Sequence, residues 1–196
     1  NYSHAELRLE SKNAASYGSI FNDHNNGCVR IGHNTTGNTL EVFNDGVIRM
    51  QGIKFGSDIS DNNKLDDYEE GTFTATCANS VTLHASQDLC MYTKIGRQVT
   101  VKGQVRVNDS NGGNQDLIIN NLPFTNVSGT DGSASCVGAV RIWDQNVPSD
   151  TISVVCETFG GSATLNFWIN RDDAGAERMK ANDNAYSLFT LTYFTA

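Results

Sequence analysis

Leu65-Asp66-Asp67-Tyr68-Glu69-Glu70-Gly71-Thr72-Phe73-Thr74 divides this chain into two unlike parts. Four acids, then Gly71, then alternating Thr and Phe read as a helical turn or loop feeding a strand. Upstream, Gly and Asn break the sequence into very short apolar runs. Downstream, the runs lengthen and alternate, as in one ordinary β domain. The expected organisation is all-β: a short-stranded lead-in over residues 1–56, a connector over 57–70, and a β-sandwich, jelly-roll-like head over 71–196.

Composition agrees with that reading. Of 196 residues 18 are Gly and 2 are Pro, and the hydrophobic and charged fractions, 38% and 18%, lie below globular averages. Abundant Gly, Asn, Thr and Ser favour turns and short strands over helices, while well-distributed aromatic and β-branched residues argue against disorder. The net charge of −8 speaks against a nucleic-acid groove or an anionic membrane as the main partner. No stretch approaches the ~18 apolar residues of a membrane span. Neither a Met nor a signal peptide opens the sequence, so it reads as a piece of something longer. The cysteines (Cys28, Cys77, Cys90, Cys136, Cys156) include no CxxC, which removes the usual zinc pattern. Cys136 and Cys156 fall on alternating apolar faces and read as small core groups. Cys77 and Cys90 bracket a loop and either pair or stay reduced, the odd count pointing to a reducing site of synthesis.

The lead-in reads as successive hairpins: Ala5–Glu10, then Ser19–Phe21 and Cys28–Ile31 around an Asn/Asp/Gly turn, then Thr39–Phe43 and Val47–Met50 around Asn44-Asp45-Gly46. Asp-Gly between two such runs is a strong hairpin signal, with φ > 0 expected at both turn residues. So few large apolar groups in so short a segment make a marginal domain, and short strands leave open edges. Further copies of the chain, with intertwined strands, are expected to supply the missing core. His4, His24 and His33 could meet their copies on a symmetry axis to bind a metal; beside Asn, Asp and Gly they read as solvated, and neither metal nor cofactor is expected. Asn34-Thr35-Thr36 and Asn126-Val127-Ser128 fit the glycosylation acceptor pattern, without a signal sequence to give it meaning. The six acids between Asp58 and Glu70 lack the spacing of a calcium loop and read as a solvated cap.

Here a resemblance enters. Leu65–Thr74 resembles the opening of the C-terminal head domain of many bacteriophage tail fibres, with Ala75 where the family usually has Pro. Tyr92-Thr93-Lys94-Ile95-Gly96-Arg97-Gln98-Val99-Thr100-Val101-Lys102-Gly103 is similar to the family's next block, and Ile119-Asn120-Asn121-Leu122-Pro123-Phe124-Thr125 to its third. The three stand in the family's order and cover Leu65 to about Thr125. The resemblance implies a homotrimeric fibre of the virion, made in the cytoplasm of a host bacterium and joined to the rest of the tail fibre. Its tip would bind a host surface glycan or outer-membrane receptor. It carries over no site residues, because the matched blocks look like framework.

The head is legible by alternation. Val99, Val101, Val105 and Val107 share one face with Gly103 between them, which suggests a bulge or a close approach. Cys136, Gly138, Val140 and Ile142 oppose Val137, Ala139, Arg141 and Trp143. Leu165, Phe167 and Ile169 oppose Thr164, Asn166 and Trp168, and Gly160-Gly161 marks a hairpin. Phe189, Leu191 and Tyr193 share a face near the end, while Leu188 on the other suggests a strand covered on both sides, as at a subunit contact. Asp173–Ala181 reads as a loop.

Catalysis finds little support. Glycoside hydrolysis, the natural rival for a fibre tip, needs two carboxylates ~5–10 Å apart, and Asp144, Asp150, Glu157, Asp172, Asp173 and Glu177 stand in no recognisable frame. His84 beside Ser86 is too local to make a triad, and no Gly-rich run precedes a helix. Binding requires less: an aromatic face for a sugar ring and planar polar groups for its hydroxyls. The candidate ligand-binding residues are Trp143, Asp144, Gln145 and Asn146, where a strand enters a loop, and Arg171, Asp172 and Asp173 in the other polar loop. Against them stand burial of Trp143 in a core or subunit contact and a merely solubilising role for the acids; Trp168 reads as packing. The expected function is non-enzymatic attachment of a virion to a host surface. The alternatives are a polysaccharide depolymerase and a purely structural fibre protein.

Overall fold

A computed structural model describes residues 6–10, 17–23, 26–33, 37–50, 52–54, 64–65, 67–129 and 132–196. His4, His24 and the Asn34-Thr35-Thr36 acceptor lie outside them. The fold is all-β, and the chain divides into two compact units, residues 1–66 and 67–196. The division falls just ahead of Tyr68, inside the stretch expected to be connector.

The first unit is an antiparallel meander of five strands in chain order: β1 (Glu6–Glu10), β2 (Tyr17–Asp23), β3 (Cys28–His33), β4 (Gly37–Phe43) and β5 (Ile48–Met50). A separate pair joins β6 (Ile53–Lys54) to β7 (Lys64–Leu65). The β4–β5 turn differs from the expected two-residue form. Of its residues only Gly46 has positive φ (85°), Phe43 N–H donates to Val47 O and Gly46 N–H to Phe43 O. This is a three-residue loop closed by a left-handed Gly, and Val47 N–H bonds the Asp45 carboxylate instead of Asp45 adopting φ > 0. The five strands pair with one another inside one chain. What they leave open is a face, treated below.

The second unit is one antiparallel sheet ordered β12-β15-β14-β13-β17-β11-β10-β8. In chain order its members are β8 (Tyr68–Thr74), β9 (Thr82–Leu83), β10 (Leu89–Ile95), β11 (Gln98–Asp109), β12 (Ile118–Ile119), β13 (Cys136–Trp143), β14 (Thr151–Thr158), β15 (Leu165–Arg171), β16 (Glu177–Arg178) and β17 (Tyr186–Phe194), with β9 on β11 and β16 on β15. The sheet curls on itself into a sandwich-like shell. Phe167 of β15 and Phe189 of β17 meet edge to face at 5.9 Å although two strands lie between them. In a flat sheet three strand spacings amount to ~14 Å. The alternating positions read from the sequence line the inside: Val99, Val101, Val105 and Val107, Leu165, Phe167 and Ile169, and Phe189, Leu191 and Tyr193 are all buried. The segment 120–127 runs along the curled sheet, bonding β8's end through Asn121, Ala163 just ahead of β15 through Leu122, and Tyr193 Oη through Phe124 O.

Two sequence expectations need correction. Tyr68-Glu69-Glu70 is neither helical turn nor loop but the start of β8, paired with Ile95-Lys94-Thr93 of β10. An edge strand tolerates acids because they stay solvated and discourage pairing with other chains; Glu70 accepts from Tyr68 and Glu69 from Tyr92. Asp67 pairs with the buried Lys94. Within Asp173–Ala181, the two residues of β16 add to the sheet.

Gly103 makes the close approach and no bulge, its pairing with β17 being regular. A Cβ there would lie 2.2 Å from Cys90 Sγ and 3.1 Å from Phe189 Cζ. Gly103→Ala is expected to cost about 1–3 kcal/mol by overpacking. Adding Cys90→Ala should return part of it, so a double-mutant cycle in urea should show coupling of about 0.5 kcal/mol or more; strictly additive losses would contradict the contact.

All five cysteines are free thiols, so Cys77 and Cys90 do not pair. Burial pushes Cys77, Cys90 and Cys156 up to about 12, with Asp88 adding to the effect at Cys90, and burial likewise pushes Tyr193 to about 12. Unfolded, thiols ionise near ~8.5 and tyrosine near ~10. Above those values the unfolded chain has lost protons that the folded chain keeps, so stability falls with rising pH until the folded groups ionise near 12. Denaturation midpoints should therefore drop clearly between pH 8 and pH 11, and Cys156→Ala should flatten the decline. An unchanged midpoint over that range would show these groups to be solvated.

Candidate binding site

The two polar loops singled out in the sequence meet at one end of the sheet. After β13 the chain turns at Asp144, whose φ of 58° is left-handed, and Asn146 N–H donates to Asn182 Oδ1 at 3.0 Å. Thr151 fixes Pro148, its N–H and hydroxyl both donating to Pro148 O. Asp150 then receives Arg171 in a fork, with Nε at 3.0 and 3.1 Å and Nη2 at 2.9 Å. Such bidentate, charge-assisted pairing fixes geometry as well as adding energy. Arg171 also reaches Glu177 at 3.5 Å, and Asp172 N–H donates to Asp150 O. The Arg171 guanidinium holds the Asp150 carboxyl below its ordinary range.

Between the loops lies a groove of about 360 Å3, walled by Asn146, Val147 and Pro148 on one side and by Glu177, Arg178 and Lys180 on the other. Asp116 tethers the second wall, accepting from Lys180 Nζ at 2.6 Å and lying 3.9 Å from Arg178 Nε, while Arg178 also donates to Asn166. The groove thus presents amide and guanidinium donors on a partly apolar base, suited to hydroxyl-bearing ligands.

The expected residues fare unequally. Asn146 lines the groove and Arg171 braces it. Asp172 and Asp173 are exposed on the turn beside it, Asp173 with φ of 54°. Asp144 is exposed, and Gln145 turns inward, where both atoms of its amide are buried without a protein partner. Trp143 lies outside the groove, on the outer face of the sheet, stacked on Tyr186 at 4.8 Å and 14°. Sequence reading placed Glu177 and Arg178 in the second polar loop without counting them as ligand-binding residues, and it missed Lys180 and Asp116, because β16 is too short to show a period.

Trp168 packs as expected, but outside the core. Its alternation with Phe167 and Ile169 already placed it on the outward side. It lies in a second depression of about 490 Å3 with Val137, Val155, Glu157, Phe159 and Asn170. Arg178 sits 5.0 Å over its ring and Phe159 meets it edge-on at 6.5 Å. Burial raises the Glu157 carboxyl, with Arg178 opposing. The other acceptor motif is structural: Asn126 is 1% exposed and its amide donates to Ala134 O and Phe159 O.

Chemically, the groove's carboxylates are committed. Asp150, Glu177 and Asp116 each face a cation, and the Arg171 guanidinium holds Asp150 low, whereas a general acid needs a raised value. His84 Nδ1 lies 3.1 Å from Ser86 Oγ, and among the described residues no carboxylate bonds its other ring nitrogen. Among those residues no group of three or more His, Cys, Asp or Glu converges to hold a metal. Compared with protein families, characterised proteins and solved structures, the chain matches none.

Proposed function

We propose that this chain is the distal part of a homotrimeric tail fibre that attaches a bacteriophage to a surface glycan of its host, without catalysis. The observation that carries the reading is the open face of the first unit. Cross-strand register places Leu7, Ile20, Ile31, Leu40 and Met50 in one row over all five strands. Val29, Val42 and Ile48 form a second row on the same side. Leu7, Ile20, Ile31 and Met50 are 38–58% exposed. The opposite side carries a charged row in which Arg30 and Arg49 both bind Glu41. A single-layer sheet with one apolar side needs a second layer, and identical chains around an axis supply it with the same side three times over. The order of the three family-like blocks adds the fibre and its role. The groove between Asn146 and Arg178 is then the glycan site, weak alone and strengthened by about 10²–10⁴ through several copies.

Light scattering on the purified chain tests this. A mass three times that of the chain, persisting in mild denaturant, together with blocking of phage adsorption by the fragment, is the expected result. A stable monomer, or a trimer that leaves adsorption untouched, would overturn it. Arg178→Gln should weaken glycan retention about tenfold, since it removes a charged donor, and leave the mass unchanged.

A further inference from the structure

The outer face of β11, β17 and β13 carries a cationic cluster that the groove does not use. The registers set Gln104 opposite Leu188 and Leu188 opposite Arg141; one step along the same face, Arg106 faces Tyr186 and Tyr186 faces Trp143; one step the other way, Lys102 faces Thr190 and Thr190 faces Ala139. Lys102, Arg106 and Arg141 therefore surround Leu188, which is 42% exposed. With strands ~4.8 Å apart and ~3.4 Å per residue, the Cα atoms of Arg141 and Lys102 are roughly 12 Å apart, so their extended side chains reach a common group above Leu188. A depression of about 380 Å3 lies there, lined by Lys102, Ala139, Arg141, Leu188 and Thr190.

Charge makes this cluster unusual. Elsewhere in the second unit Lys94, Arg171, Arg178 and Lys180 each have a carboxylate, and Arg97, alone just ahead of β11, donates to Thr195 O. Among the described residues Lys102, Arg106 and Arg141 have none, in a chain with 22 acids to 14 bases. Their positions are nonetheless held. Arg106 stacks 5.2 Å over Tyr186 and donates to Asn184, Arg141 lies 5.6 Å from the Trp143 ring, and Trp143 and Tyr186 stack on each other. Cations ordered by aromatic faces still present their in-plane donors.

We infer that this depression is a second binding site, for a saccharide bearing a carboxylate or phosphate. Arg141 and Lys102 take the anionic group through charge-assisted hydrogen bonds, and Leu188 and Ala139 take the apolar side of the ring. The anionic part of the inference rests on the unpaired cations; the saccharide part rests on the function proposed above. An acidic segment of another copy is the rival occupant. The depression has the volume of a small-ligand pocket, whereas a stable protein contact needs about 800 Å2 from each partner.

The test uses Trp143 as reporter. The chain has two tryptophans, so Trp168→Phe leaves Trp143 alone on this face. Its fluorescence is titrated with oligogalacturonate, glucose 6-phosphate, a malto-oligosaccharide of matched length and inorganic phosphate. Expected is binding of a charged saccharide at least tenfold tighter than of the neutral one or of phosphate, weakening with salt. Arg141→Gln and Lys102→Gln should each weaken it about tenfold, and Arg97→Gln, whose guanidinium donates to Thr195 O and lines neither depression, should not. Equal binding of charged and neutral sugars, no binding of either charged sugar, or equally tight binding of inorganic phosphate would overturn the inference. So would a lower assembly mass in Arg141→Gln, which would assign the face to a contact between copies. A trimer that blocks adsorption but shows no preference for charged sugars sinks this inference alone; a monomer that shows the preference sinks the fibre reading alone.

Discussion

Gly138→Ala should cost about 3 kcal/mol or more, the upper end of overpacking losses, and Gly138→Val should leave no cooperative unfolding transition. A Cβ on Gly138 would lie 2.2 Å from Thr190 O and 3.0 Å from Leu191 Cα, both backbone of the neighbouring β17, and 2.8 Å from Cys156 Sγ. A side chain can turn aside, as Cys90 can beside Gly103. The backbone of a strand paired on both edges cannot, because moving β17 breaks its ladders to β11 and β13 together. Gly96 provides the contrast. Nothing lies within 4 Å of its added Cβ and its φ is 57°, so Gly96→Ala pays only for the left-handed backbone, about 1–2 kcal/mol. Urea denaturation of the two variants decides the matter. Equal losses would contradict the close approach of β13 to the β17 backbone at Gly138.

Ile31→Glu should dissolve the proposed trimer. Ile31 lies in the middle of the five-strand row, between Ile20 and Leu40. If other copies cover that row, the carboxylate is taken out of water among apolar side chains, at about 3–5 kcal/mol for each copy, and a symmetric trimer suffers the loss three times. The same change at Arg49, which is 72% exposed in its side chain and lies on the charged side, should leave the mass alone apart from losing a weak pair with Glu41. Sedimentation of both variants against the unaltered chain reads the difference. If Ile31→Glu keeps the full mass, the apolar row is not the contact, and the fibre reading loses its carrying observation.

Much of the fold was legible because alternation is local. A strand's side chains change sides at every residue, so Val99 to Val107, Leu165 to Ile169 and Phe189 to Tyr193 declare their inner faces without reference to any partner. Turn residues were legible for the same reason, down to the Gly160-Gly161 hairpin. The site was less so. Arg171 and Asn146 were found by their polar loops, but Arg178 lies in a two-residue strand that carries no period, and Lys180 just beyond it. Trp168, read as packing, does pack against Phe159 and Arg178, on the outward side that its alternation indicates; that those two groups cover it there depends on the neighbouring strands.

The sequence by itself determined that this chain is all-β, where most of its strands lie and which side of each carries apolar groups, because those properties follow from backbone geometry within a few residues. Tertiary structure alone decided that Tyr68–Glu70 is strand, which needed β10 to pair with it. It also decided that Phe167 meets Phe189, that Asn146 faces Arg178, and that Lys102, Arg106 and Arg141 gather around Leu188. These depend on strand order and curl, which arise from pairing between segments far apart in the chain and leave no periodic trace in any one of them.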